Sequence, residues 1–402
     1  MNVGAHVRGG GKLVPSLEAA VEIGATSIQV FVQSPRMWKP TQYAPEVLAG
    51  FREAQAAHPS VTSTYCHATY LINLASPDPA LYERSVECLT SNVSVSRGMG
   101  ASGVVLHVGS HMGAGFDTVV TQIADGLRRA LDDANAAPDG VECPILIENA
   151  AGTGGTVGRD FDEIQALIDA CGGDERLGLC VDTQHLWASG VDYSTTDGAE
   201  RALAEIERRV GLARLGCLHF NDSKIELGGN RDRHANIGEG TIGPAGLAAL
   251  VGHPRVRDLP LLLEVPGDGE GPRAQDVTIG QRVVAAGVAL YDDKVAPPDW
   301  AALLIVPRVA GTAKKAAKKA AKKTAKKVVK KSAKKVTKKV TKTVTKKVAK
   351  KATKKVAKKA TKMVAKKTTK KTTKKAGKKA LPSTKTARKA TPAKRVAKKK
   401  RG

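Results

Sequence analysis

Aromatic residues are scarce in this 402-residue chain, with 5 Phe, 3 Trp and 6 Tyr. No apolar run approaches the roughly 18 residues of a membrane helix, so no membrane partner is expected. The start, MNVGAHVRGG, lacks the long apolar stretch of a secretory leader, and a cytoplasmic protein is the expectation. Six cysteines (Cys66, Cys88, Cys143, Cys171, Cys180, Cys217) include no CxxC pair. Most lie in or beside apolar runs, where cysteine acts as a small buried hydrophobe. No GxGxxG follows a strand in the context that a dinucleotide site requires.

The deepest absence is local. From Ala313 to Gly402 there is no Asp, Glu or aromatic residue, and 41 of the 90 positions are Lys or Arg. The whole chain has 65 basic residues, so residues 1–312 keep 24 against all 38 acids, and the overall charge of +27 describes neither part. The tail repeats KKAAKKAAKKTAKK and then KKVTKKVTKTVTKKV. Its Ala and Val are too small and too interrupted by charge to build a core, so disorder is expected, with DNA or RNA phosphates as the non-specific partner. The composition resembles histone H1 C-terminal tails. The expected division is a catalytic domain over 1–295, a linker over 296–312 and the polycationic tail over 313–402.

The acidic front part holds eight short apolar runs separated by helix-length segments. They are Asn2–Val7, Ser27–Val32, Ser63–His67, Gly103–His107, Pro144–Glu148, Leu177–Asp182, Leu215–His219 and Leu259–Glu264. Intervening stretches such as Asp78–Gly100 and Asp117–Ala137 carry apolar residues at helical spacing. Eight such units predict an α/β fold, a (β/α)8 TIM barrel, whose chemistry gathers at the C-terminal strand ends. Six runs end in an acid or histidine: His67, His107, Glu148, Asp182, His219 and Glu264. Asp182 and His185 lie three apart, and Asp232 and His234 share the loop NRDRHANIGEG. Carboxylates and imidazoles are what divalent metals take, so nine such groups at one barrel mouth point to a polynuclear metal site.

These motifs match a family. Residues 1–290 resemble endonuclease IV through HATYLINLA (67–75), HVGSHMG (107–113), IENAAGTGGTVG (147–158), GLCVDTQH (178–185), LHFNDSKIELGGNRDRHANIGEG (218–240) and LLLEVP (261–266). The resemblance implies three Zn2+ ions, with Mn2+ an alternative occupant of one site. His67 and His107 would hold one ion, with Glu148 bridging to a second completed by Asp182, His219 and Glu264. His185, Asp232 and His234 would hold the third. It also implies that a metal-activated hydroxide, with Glu148, Asp182 and Glu264 as the catalytic carboxylates, cuts the phosphodiester 5′ to an abasic site. The products would be a 3′-hydroxyl and a 5′-deoxyribose phosphate. Arg36, Tyr70 and Leu71 match the residues with which that family opens double-stranded DNA.

Three positions depart from the family pattern: Met37 for a usual Gln, Thr69 for Ser, and Gln184 where a small residue or Cys is common. Ser223, Lys224 and the glycines 152, 154, 155, 158, 228, 229, 238 and 240 are expected to shape the mouth loops or approach phosphates. The expected protein is a monomeric DNA repair enzyme, nucleoid-associated through its tail. Two rivals are a sugar isomerase or epimerase on the same metal-bearing barrel and a non-enzymatic DNA-compacting protein.

Overall fold

Strands dense in Val, Leu, Ile and Cys, without polar alternation, suit a parallel sheet covered on both faces. The computed structural model describes residues 2–8, 12–136, 141–295 and 299–306. In it the runs form β1 (Val3–His6), β2 (Ser27–Val30), β3 (Ser63–His67), β4 (Gly103–Leu106), β5 (Ile145–Glu148), β6 (Leu177–Asp182) and β7 (Leu215–His219). A small hairpin of β8 (Asp222–Ser223) and β9 (His234–Ala235) precedes β10 (Leu261–Leu263). β1 pairs in parallel with both β2 and β10, so the eight expected strands close into a barrel. The fold is the anticipated (β/α)8 barrel.

Around it run α1 (Leu13–Glu22), α2 (Pro45–Ala56), α3 (Pro79–Met99), α4 (Phe116–Ala134), α5 (Phe161–Ala170), α6 (Thr183–Ala188), α7 (Thr196–Arg209), α8 (Gly243–Val251) and α9 (Ala274–Asp292). The amphipathic outer helices bury a stripe; on α4 it is Val119, Ile123, Leu127, Ala130 and Leu131. Asp78, Asp160 and Thr195 cap α3, α5 and α7 by accepting backbone N–H bonds. Among the described residues, no helix is long and apolar enough to cross a membrane.

Inside the barrel, Tyr65, Val105, Leu146, Cys180, Cys217 and Leu262 pack as one layer. Leu146 occupies its centre. A Cβ at Gly103, Gly178 or Gly216 would come within 3.2, 2.6 and 2.8 Å of its methyl carbons, so neighbouring strands place glycine there. Side chains alternate along a strand, and two residues onward the chain points inward again, one layer higher. Those next residues are His67, His107, Glu148, Asp182, His219 and Glu264. The apolar layer is thus the floor of a polar mouth.

One boundary differs from expectation. Trp300, Leu304 and Val306, read from sequence as linker, pack against the barrel core, and Ala301–Leu304 forms a 3-10 turn. Arg282 of α9 donates to the carbonyls of Leu303 and Ile305, which fixes this turn. The remaining linker residues 296–298 and 307–312, and the tail over 313–402, lie outside the described residues.

Candidate metal centre

Every strand of the barrel delivers one polar side chain into the mouth. To the six anticipated groups β1 adds His6 and β2 adds Gln29, both buried. Neither sits in a distinctive motif. The available signal was the barrel itself, since eight strands of equal pitch should present eight inward residues at one level.

Glu148 stands at the centre. Its Oε2 lies 3.3 Å from His67 Nε2 and 3.1 Å from His107 Nε2, and its Oε1 lies 2.9 Å from His219 Nδ1. His219 Nδ1 is also 3.3 Å from Glu264 Oε2. His234 Nε2 lies 3.6 Å from Asp182 Oδ2 and 3.2 Å from Asp232 Oδ1, and His185 Nε2 lies 3.4 Å from Asp232 Oδ1. Three sets have donor atoms all within 4.8 Å of one another: His67–His107–Glu148, Glu148–Asp182–His219–Glu264, and Asp182–His185–His234. Eight of the nine anticipated residues fall in these sets, and the ninth, Asp232, lies against His185 and His234. Asp182 belongs to two sets, as Glu148 does, where the sequence reading gave only Glu148 a bridging place.

The imidazoles are oriented as metal ligands are. His67 Nδ1 donates to the Ala68 carbonyl at 2.8 Å, His185 Nδ1 to that of Asn149 at 2.9 Å, and His219 Nε2 to Gln29 Oε1 at 3.0 Å. In each ring the opposite nitrogen then faces the cluster, where a cation that displaces its proton would find its lone pair. The Nε2 atoms of His185 and His234 are buried without a hydrogen-bond partner, which suits a cation and leaves them costly otherwise. Asp182 is held from several sides: it caps α6 by accepting from the His185 N–H (2.9 Å), and Asn221 Nδ2 donates to its Oδ2 (2.7 Å). Gln29 Nε2 and His6 Nδ1 both reach Glu264 Oε1, at 2.7 and 2.8 Å.

Electrostatics follow from this crowding. Burial pushes the Glu148 carboxyl up, yet His107, His219 and His185 outweigh it and hold it well below the usual carboxylate range. Burial alone would lower His219, but Glu264, Glu148 and Asp182 raise it to about 10. His234 rises to about 9 against burial, through Asp182 and Asp232. A cluster that draws protons so strongly favours divalent cations in their place.

The loop from β7 carries Asp232 and His234, and its shape has two causes. Asp222 accepts backbone N–H bonds from Gly238 and Gly240 through Oδ2 and from Ser223, Ile242 and Gly243 through Oδ1. A Cβ at Gly240 would meet Asp222 Oδ1 at 2.3 Å, so glycine is required for this closure. From α6, the fully buried Gln184 donates to the Arg231 carbonyl (2.9 Å) and accepts from the Arg233 N–H (3.2 Å), pinning the backbone on either side of Asp232. Lys224 is exposed, whereas Ser223 is buried and bonds the Ile225 backbone, which gives it a loop-shaping place.

Arg36 and Tyr70 are exposed at the rim, and Leu71 is half-buried beside them. Tyr70 stands edge-on against Phe31 and His67, with ring centroids 5.1 and 5.4 Å away. An open cleft of about 370 Å³ runs from Tyr70 and Leu71 past small residues such as Gly109, Ser110 and Ala151 to His107, His185 and Asp232.

Comparisons with known proteins agree with this geometry. A family model described as the xylose isomerase-like TIM barrel matches residues 17–286. A protein of Methanoculleus marisnigri named probable endonuclease 4 is 36% identical over 266 residues, covering 66% of this chain and 93% of its own. One of Halorhodospira halophila with the same name is 37% identical over 269 residues, covering 67% and 89%. The crystal structure of endonuclease IV from Thermus thermophilus superposes with a TM-score of 0.61 at 30% identity, covering 72% of this chain and 99% of that one. The chain belongs to the endonuclease IV family of xylose isomerase-like TIM barrels.

Proposed function

We propose that this protein is a metal-dependent DNA repair endonuclease that hydrolyses the phosphodiester 5′ to abasic sites, leaving 3′-hydroxyl and 5′-deoxyribose phosphate ends. The observation that carries the reading is the convergence of eight ligand-type side chains in three sets, with Asp232 against His185 and His234, beside an open cleft lined by Tyr70 and Leu71. His67, His107 and Glu148 would hold one Zn2+; Glu148, Asp182, His219 and Glu264 a second; His185, Asp232, His234 and Asp182 a third. Bound divalent ions would supply a nucleophilic water at neutral pH and offset the charge developing on phosphate. The protein's own part is to fix these ligands and to admit the damaged strand. Tyr70 and Leu71 would wedge into the duplex, which costs least where a base is already missing, and that difference selects the abasic site. The tail would tether the enzyme to phosphates without reading sequence.

The sugar isomerase reading places a small polar substrate in an enclosed pocket, whereas this mouth is an open cleft with exposed apolar side chains on its rim. Stripping with a chelator and restoring with Zn2+ tests the choice. The intact protein is expected to carry about three ions per chain and to cut an abasic duplex, to lose both on chelation, and to regain both with Zn2+. Incision that survives complete stripping would refute the metal mechanism. Metal-dependent turnover of aldoses without incision would establish the sugar reading instead.

A further inference from the structure

The two rim turns that would enter DNA are not independent. Ser34–Met37 is closed by the Met37 N–H donating to the Ser34 carbonyl at 3.1 Å, with Pro35 presetting its first central residue. Thr69–Ile72 is closed the same way at 3.2 Å and carries Tyr70 and Leu71 at its centre. Met37 and Tyr70 are 55% and 56% exposed. An exposed side chain can unstack bases only if the backbone beneath it does not retreat.

Beneath the first turn lies Gln33, buried and outside the motifs quoted above. Its Nε2 donates to the Met37 carbonyl at 2.8 Å, closing that turn from the inside, and contacts Cys88 Sγ at 3.6 Å. Its Oε1 accepts from Asn92 Nδ2 (3.3 Å), which also donates to the Cys88 carbonyl at 2.7 Å. Cys88 and Asn92 are one turn apart on α3, and Asn73, the residue after the second turn, donates its N–H to the buried Ser85 Oγ of the same helix at 3.0 Å. Gln33, Cys88 and Asn92 thus join the first rim turn to α3, and Ser85 joins the second to the same helix.

We infer that Gln33 is a positioning residue: through Asn92 and Cys88 it holds the Arg36–Met37 turn on α3, in register with the Tyr70–Leu71 turn that Ser85 anchors to the same helix, so that the two turns open the duplex as one preorganised wedge. The inference rests on the DNA-incision reading. Preorganisation avoids ordering the turns at the moment of binding, and its benefit falls on opening rather than on bond cleavage.

The test compares two substrates for the metal-replete full chain and its Gln33→Met variant, which keeps length while removing both polar ends. One is a fully paired duplex with a single abasic site; the other has the same site flanked by mismatches that already hold it open. The variant should raise KM for the paired duplex about tenfold, with kcat and the KM for the open substrate changed less than about twofold. Metal content should equal the parent's. Asn92→Ala should reproduce the split, and the double variant should lose no more than the larger single loss, because one network is being cut. Equal losses on both substrates, or no loss on either, would overturn the proposal. If Gln33→Met melts much earlier than the parent, Asn92→Ala alone decides by the same criterion. A parent that cuts neither substrate defeats the incision reading itself, a result distinct from failure of the split.

Discussion

Glu148 is the residue on which the centre depends most. It is fully enclosed by His67, His107, His185 and His219, and no other acid lies on β5. Glu148→Gln keeps the shape but removes the charge that offsets two adjacent cations, whose repulsion is then less compensated. Incision should fall by orders of magnitude, and elemental analysis should find fewer ions per chain, while the far-ultraviolet spectrum of the barrel is unchanged. A mutant with full metal content would place the bridging role elsewhere. The imidazoles add a pH prediction. His219 and His234, raised to about 10 and about 9, carry protons at neutral pH that an entering cation must displace. Metal affinity should therefore keep rising with pH to about 9, rather than levelling near the ordinary imidazole value of about 6.5. Competition with a chelating dye across that range measures it, and affinity that has already levelled by about pH 7 would contradict the assignment. Six of the ligands were legible in sequence because each ends an apolar run, and His185, Asp232 and His234 through the motifs GLCVDTQH and NRDRHANIGEG. His6 and Gln29 were not, since their partner Glu264 lies 258 and 235 residues away and no local pattern announces the contact.

Among the elements, α6 and the loop from β7 form a unit built around a departure from the family pattern. Gln184 replaces a usually small side chain and fastens the backbone beside Asp232. Gln184→Met should leave an unpaired carbonyl and N–H, costing about 1–3 kcal/mol, and the loss falls on one ion alone. Stepwise chelation should therefore strip one ion from the variant well before the other two. Uniform retention, or uniform loss, would show that the loop is held by Asp222 without it. The eight strands and most helices were readable from length and periodicity. The segment 299–306 was not, because Pro297 and Pro307 give it the look of a linker. What anchors it is Leu304 against Gly238, where a Cβ would lie 2.5 Å from the leucine methyls, together with the bonds from Arg282. Both contacts arise only once α9 is docked.

At the scale of the molecule, an acidic barrel precedes 41 positive charges in residues 313–402. Removing that stretch should weaken duplex binding and flatten its dependence on salt, equally for all sequences, because phosphate contacts release counterions without reading bases. Turnover at saturating abasic substrate should persist. An unchanged salt slope would discard the tether. The central claim, that the mouth cuts DNA beside a lost base, is tested most directly by mapping the nick. A duplex with one abasic site is labelled at the 5′ end of the damaged strand and treated with zinc-loaded protein, and a polymerase is then offered the product. One break immediately 5′ to the site, on that strand only, with an extendable 3′-hydroxyl, is the result expected. No break, or a break 3′ to the site, would contradict it.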